Sequence, residues 1–588
     1  MSPDINTLGS QGSSIPTHEE KDFQAAVKRR QNVKIEDWPN EAGFESMTEV
    51  RGPVELKVSG SIPSWAAGTL YRTGPGQFSV EDTPRGTFKA THWFDGFAHT
   101  HRFEIIADSN DANAPVKVEY SSRFQAEEHV RRIKKLGKMP DMSFGQRQDP
   151  CVGIFGKMMS VFKKSEVNNE PGTQNISVTV HADMPGYASK REQSSSGHRV
   201  KRTLFTSTDA SIVQEFDADT LEPIGIARQE NLHPDLKGPL SSAHAHRDPE
   251  SGDLFNYNLD MGRVATYRVF RTSASTGKTD ILATISAPDL KPAYIHSFYM
   301  SPSFVILCVP STHIGYMGIS VPWNGNVVDA IEPFDKSKLC KWFIVDRRGD
   351  GGLVATAETA AGFFFHSVNS FEEVDEETGD INLFCDVIQY PSTDIIRAFE
   401  MDVLMGTEDE SKTKTSPRSE QLARDCLQYF ARHKFTVPAK GNKKNGRKPP
   451  KVASEKVLEF KSPHIGELPT INPSYATKPY RYVYSMGTRG YTTLQDSIVK
   501  TDLVTRETTA WEVPGHTPGE AIFVARPSEG DTDTELDEDD GVLLSVILDG
   551  YGKNSYLVCI DAKTMKELGR ADCDWAIGHG FHGLHLPA

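Results

Sequence analysis

Four of the nineteen histidines sit in surroundings that suit chemistry better than a solvated surface. His244 lies in Ser242-Ala243-His244-Ala245-His246-Arg247-Asp248-Pro249, and His296 in Tyr294-Ile295-His296-Ser297-Phe298. His366 lies in Phe364-Phe365-His366-Ser367-Val368-Asn369, and His582 in His579-Gly580-Phe581-His582-Gly583. Each ring stands beside apolar or small residues at the edge of a candidate strand, where an unpartnered imidazole costs free energy. Their separations of 52, 70 and 216 residues are too wide for one helix or one zinc finger. They meet only if strands from different structural repeats converge on one axis, where four imidazoles would make a metal site. Read singly, each is equally well a hydrogen-bonded core histidine. Other familiar chemistry is absent: there is no G-x-x-x-x-G-K-[ST], no H-E-x-x-H, no G-x-S-x-G and no C-x-x-C pair.

The elements that must position such a set are strands. From about Val50 onward the chain reads as short β-branched and aromatic runs separated by turn residues, such as 68–73, 253–258 and 481–485. One kind of turn recurs, led by Asp217, Asp248, Asp346, Asp375, Asp502 and Asp561. Aspartate bonds the backbone locally at such turns, and the recurrence suggests outer-edge hairpins of repeated antiparallel sheets, as in a propeller. Asp-rich turns also occur in other β folds.

Residues 1–45 are polar, with Gly9-Ser10-Gln11-Gly12-Ser13-Ser14, and read as a largely disordered lead with a short helix. Residues 46–588 read as a single β domain, a β-propeller if the turns mark repeated sheets, with solvated insertions at 404–455, which carries a basic stretch, and at 527–541, which is acidic.

Composition narrows the classes. With 37% hydrophobic and 25% charged residues, 588 residues can bury a sizeable core. The balance of 65 Lys plus Arg against 80 Asp plus Glu, a net charge of −15, argues against a nucleic-acid binder. Seven dispersed cysteines read as reduced thiols of a cytoplasmic protein. The N-terminus lacks a basic region followed by an apolar stretch, and no apolar run is long enough to span a bilayer. Segment 154–164 mixes Ile154, Phe155, Met158, Met159 and Phe162 with three lysines. It suits either peripheral contact with a membrane surface or packing inside the fold.

The tracts around His244, His296, His366 and His582 resemble, in order, those of the carotenoid cleavage oxygenases. Asp149-Pro150-Cys151…Ile154-Phe155-Gly156 and Trp93-Phe94-Asp95-Gly96-Phe97 also fit, so the likeness runs from about residue 50 onward. It points to the fungal branch that acts on torulene in the route to neurosporaxanthin. The resemblance implies a seven-bladed β-propeller with a loop and helix dome over the face that holds iron. It implies Fe(2+) ligated by His244, His296, His366 and His582. Carboxylates behind three of the ligands map to Glu467, Glu520 and Asp209. The family more often has Glu at the last position, so Asp209 is expected to reach its histidine through a water or not at all.

Four neutral imidazoles suit Fe(II) and leave positions open on an ion that favours six ligands. The implied reaction is scission of one conjugated C=C of torulene by O₂, giving β-apo-4′-carotenal and a short carbonyl fragment. Two alternatives stand beside it. One is a relative that cleaves stilbenes such as resveratrol, which holds a phenol with a polar Tyr and Lys pair. Phe124 aligns with that Tyr and favours an apolar substrate. The other is a propeller that only binds partners. His92, His99, His101, His246, His579 and His585 are read as structural.

Overall fold

The runs Phe304–Val309 and Gly541–Asp549 are apolar at consecutive positions, and both are buried along almost their whole length. A strand buried on both faces needs a sheet stacked on either side of it, which radial stacking of small antiparallel sheets supplies. The computed structural model describes residues 18–45, 47–111, 114–147, 169–187, 203–262, 264–349, 351–407, 419–439, 448–528 and 536–588. Within these, five four-stranded antiparallel sheets follow chain order, over 179–228, 246–286, 299–359, 363–461 and 467–511.

The remaining large sheet joins the two ends of the chain. Val54–Gly60 pairs with Glu567–Asp572 on one edge and with Lys117–Phe124 on the other. Gly583–Pro587 closes beside Gly68–Gln77. The result is one ten-stranded sheet. The architecture is an all-β propeller with a few short helices. The expectation of seven separate blades is corrected to five, because Val54–Gly60 is hydrogen-bonded on both edges and fuses the terminal strands into a continuous sheet.

The recurring aspartates do lead turns. Oδ1 of Asp217 accepts the N–H groups of Asp219 and Thr220, and that of Asp502 accepts those of Val504 and Thr505. Asp248 and Asp375 do the same, but join the first strand of a sheet to its second rather than forming an outermost hairpin. In an up-and-down antiparallel sheet, the first-to-second and third-to-fourth turns emerge at the same end. All six aspartate turns therefore lie on one face of the ring, and the starts of the first strands lie on the opposite face.

Over that opposite face, four separate segments knit into a cover. Asp95 accepts the N–H groups of Phe144 and Gly145 at 2.7 Å each. Ser143 donates to Gly325, and Val327 to Phe144. His92 bonds Ile396 O through Nε2 and accepts the Phe94 N–H through Nδ1, which caps the turn Trp93–Asp95. Arg147 reaches both Glu400 and Asp402.

Three boundaries differ from the sequence reading. Residues 18–45 are docked: His18–Arg30 is a helix whose Phe23, Ala26 and Val27 pack on Ala423 and Leu427, and Asn40 bonds Thr492 and Thr517. Region 404–455 contains the helix Glu420–Asp425 and the third strand of a sheet, Tyr429–Val437, so it is not simply an insertion. Alternating burial along that strand was the available signal. In 527–541, Asp539 is buried against Lys500 at 2.6 Å and Glu538 accepts the backbone N–H groups of Arg481 and Tyr482. Residues 1–17, segment 154–164, and the stretches 408–418, 440–447 and 529–535 lie outside the described residues. No helix among the described residues is long and apolar enough to cross a membrane.

Candidate metal centre

The four predicted histidines occupy equivalent places. His244 lies two residues before His246–Arg247, the first strand of its sheet, His296 lies just before Tyr299–Met300, and His366 lies near the start of Phe363–Val374. His582 directly precedes Gly583–Pro587, the edge strand of the ten-stranded sheet. Each therefore sits where an axial strand starts, on the face away from the aspartate turns. One ligating nitrogen from each ring falls within 4.8 Å of the other three. Nε2 of His244 is 3.1 Å from Nε2 of His296, and Nε2 of His366 is 3.0 Å from that of His582.

The outer nitrogens face carboxylates. His366 Nδ1 is 2.6 Å from Glu467 Oε2, and His582 Nδ1 is 2.7 Å from Glu520 Oε1. His296 Nδ1 is 3.0 Å from Asp209 Oδ2. The expectation that Asp209 contacts its histidine through a water or not at all is corrected: the contact is direct. Pairing with the segment that leads to His244 brings the aspartate close enough: Ala210 bridges Leu240, Ser241 N–H bonds the Asp209 carbonyl and Ala243 N–H bonds Oδ1. Glu467 begins the first strand of its sheet, and Glu520 lies between two short strands that both pair with Gly541–Asp549.

This donor set fits a cation. An Nδ1–H donated to a carboxylate leaves the lone pair on Nε2. Lone pairs about 3 Å apart repel unless positive charge lies between them. Burial, reinforced by the neighbouring rings, pushes His244 and His366 well below the usual imidazole range, so both rings are neutral and able to ligate. Burial also pushes the Glu467 carboxyl up to about 7; positive charge on the axis acts in the opposite direction.

Beside the imidazoles lies an open, largely apolar cavity. Trp93, Phe94, Phe144, Phe365, Phe399 and Phe581 form its walls, with Val178 and Leu468. The rings interlock: Phe94 meets Phe144 and Phe581 at 5.0 and 5.1 Å between centroids, and Phe365 meets His296 edge-on at 5.6 Å. Phe124, expected at the substrate, stacks instead on His99 at 4.2 Å and is not among the lining residues.

A profile described as RPE65, retinal pigment epithelial membrane protein, matches residues 43–587. The chain belongs to this family, the carotenoid oxygenases. It is 47% identical to a carotenoid dioxygenase of Neurospora crassa over 100% of this chain and 98% of the relative. It is 47% identical to a torulene dioxygenase of Gibberella fujikuroi, with 97% of each chain covered. Among solved structures, this carotenoid oxygenase resembles a Synechocystis apocarotenoid oxygenase mutant, with a TM-score of 0.67 and 23% identity over 95% of this chain and 99% of the other.

Sequence reasoning missed Tyr294. Its hydroxyl donates to Asp209 Oδ2 at 2.7 Å and lies 3.3 Å from His296 Nδ1. The signal was available, because a residue two positions away along extended chain points to the same side. It also missed His181, whose Nε2 lies 2.8 Å from Thr179 Oγ1 and 3.3 Å from Ala243 O. Three of the histidines read as structural have partners of that kind: His101 bonds Tyr120, His246 bonds Phe298 O, and His579 bonds Asn40 O.

Proposed function

We propose that this protein is a ferrous-iron dioxygenase that cleaves one C=C bond of torulene, giving β-apo-4′-carotenal and a short carbonyl fragment. The observation that carries the reading is the meeting of four Nε2 atoms beside an aromatic cavity, with carboxylates behind three of the rings. The relatives named as carotenoid and torulene dioxygenases, each 47% identical, supply the substrate class.

His244, His296, His366 and His582 would hold the iron, which when bound supplies the activation of O₂. Asp209, Glu467 and Glu520 each accept an Nδ1–H, fix the tautomer and aim of a ring, and raise its basicity. Buried neutral imidazoles leave the ion its full charge. The walls from Trp93 to Phe581 exclude water and grip a flat conjugated chain by its faces. No side chain needs to carry a proton, which accords with the absence of a general acid–base pair in the sequence. The bond that is cut is set by how far a stiff polyene slides before its end ring meets the wall.

A stilbene-cleaving enzyme needs polar groups for a phenol. Among the described residues, and apart from the clustered histidines and their carboxylates, the lining offers only Thr208 and Gln495 as neutral polar side chains with oxygen or amide groups. The substrate dissolves in lipid, so we also assign a membrane-surface contact to segment 154–164 of a protein working in the cytoplasm. Polar replacement of Met158 and Phe162 should then weaken flotation with liposomes, and unchanged flotation would remove the segment from that role.

The activity is tested by incubating iron-loaded protein separately with torulene, β-carotene and resveratrol and identifying the aldehydes by mass. The expected result is β-apo-4′-carotenal from torulene and no product from resveratrol. Cleavage of resveratrol with both carotenoids left intact would overturn the assignment.

A further inference from the structure

Among the described residues, one other group of metal-ligating side chains converges outside the axis: His18, Asp22 and His464. We propose that these three residues form a second cation site, of zinc type, that clasps the N-terminal helix to the propeller.

The three ligand atoms lie close to one another. Asp22 Oδ2 lies 3.0 Å from His18 Nδ1 and 2.9 Å from His464 Nε2, and all three ligand atoms fall within 4.8 Å of one another. Ligands at about 2.0–2.1 Å from a tetrahedral zinc stand roughly 3.3 Å apart, so small side-chain rotations admit the ion. His18 and Asp22 are four residues apart on His18–Arg30 and share one helix face. That is the spacing by which a helix presents two ligands to one metal.

His464 is already held. Its Nδ1 lies 2.9 Å from Thr508 Oγ1, its N–H bonds Lys461 O, and its carbonyl accepts from Thr501 Oγ1. With Nδ1–H donated to Thr508, Nε2 turns its lone pair towards Asp22. Two imidazoles and one carboxylate suit zinc, and a water completes the shell.

The role is attachment and not hydrolysis. Glu19, the neighbour that would serve as a base in such a helix motif, is committed to Lys461 N–H and to Arg506 at 2.9 Å. The helix is seated independently by Phe23, Ala26 and Val27, so binding the ion orders little new chain. The alternative occupant of the same geometry is a hydrogen-bonded triad with no metal.

The test uses the full-length protein with its axial site filled with ferrous iron, titrated with zinc sulfate and then gel-filtered. Zinc and iron per chain are measured by elemental analysis, and hydrogen exchange is followed over 18–30. The expected result is one zinc bound in addition to iron, with exchange of the helix amides slowed about tenfold or more. His18→Ala removes a side chain that is 86% exposed and leaves folding untouched; Asp22→Asn keeps the shape of the carboxylate. Each should weaken zinc binding by more than about 100-fold, beyond what groups behind a ligand contribute, with iron content and turnover unchanged. The proposal is overturned if wild type retains no zinc beyond its iron, if zinc only displaces the axial iron, or if both variants retain zinc as wild type does.

Discussion

Asp209 offers a quantitative test of how the centre is held. Its carboxylate accepts three hydrogen bonds, from His296 Nδ1 at 3.0 Å, Tyr294 Oη at 2.7 Å and Ala243 N at 3.2 Å. Asp209→Ala removes the acceptor of all three bonds, and each buried donor left unsatisfied costs about 1–3 kcal/mol. The structure limits the damage. Tyr294 Oη lies 3.3 Å from His296 Nδ1, so the phenol can rotate its hydrogen away and accept the imidazole N–H itself. The single variant should therefore lose roughly tenfold in iron affinity, at the low end of the 10–100-fold range for such groups. Tyr294→Phe alone, with Asp209 in place, should lose less. The double variant leaves His296 Nδ1–H with neither acceptor and should approach a loss of about 100-fold, more than the two single losses multiplied together. The assay is iron retained after dialysis against graded chelator, paired with turnover of torulene. A double variant no worse than Asp209→Ala, or full iron retention in all three, would refute the relay from Tyr294 through Asp209 to His296.

Replacing His366 or His582 with Ala should abolish iron and turnover while the far-ultraviolet circular dichroism stays that of a β protein; activity in either variant would contradict the ligand set. Phe399→Ala enlarges the cavity wall and should cost about 3–5 kcal/mol of stability, and it should allow polyenes to slide further, changing the length of the aldehyde product. The pH dependence of stability has a definite sign. Burial pushes His92, His129 and His433 down to about 4, below the usual value near 6.5. Between these pH values the unfolded chain takes up protons that the folded chain refuses, so stability falls as pH is lowered from 6.5 to 4, by about 1.4 kcal/mol per pH unit for each such group. Urea midpoints across that range should show the fall, and His433→Gln should flatten the slope; an unchanged slope would remove His433 from the account.

The set of four clustered histidines was legible because its four tracts carry a distinctive grouping of small, aromatic and histidine residues that survives without any knowledge of shape. Its convergence was not, since nothing local to His244 or His582 encodes the partner across the ring. The direct reach of Asp209 was misjudged because side-chain length is visible in a sequence and backbone placement is not. The number of blades failed for a related reason: double-edged pairing of Val54–Gly60 with strands at both ends of the chain has no local signature. The aromatic cavity was half visible, in Trp93-Phe94 and Phe364-Phe365, but Phe144 and Phe399 arrive from distant segments of the cover. Acidic residues 537–540 looked solvated because charge runs usually are; Lys500 lies far away in sequence and neutralises the buried member.

The joining of the two chain ends has a consequence for biogenesis. Gly68 lies opposite Pro587, and Lys57 opposite Asp572, so the sheet that shuts the circle assembles only once Gly583–Pro587 has been made. His582 stands one residue before that strand. Loop-closure entropy grows slowly with length, so late latching is a matter of timing and not of stability. Until then, His244, His296 and His366 stand without the fourth ring, and closure of the sheet is what completes the cluster.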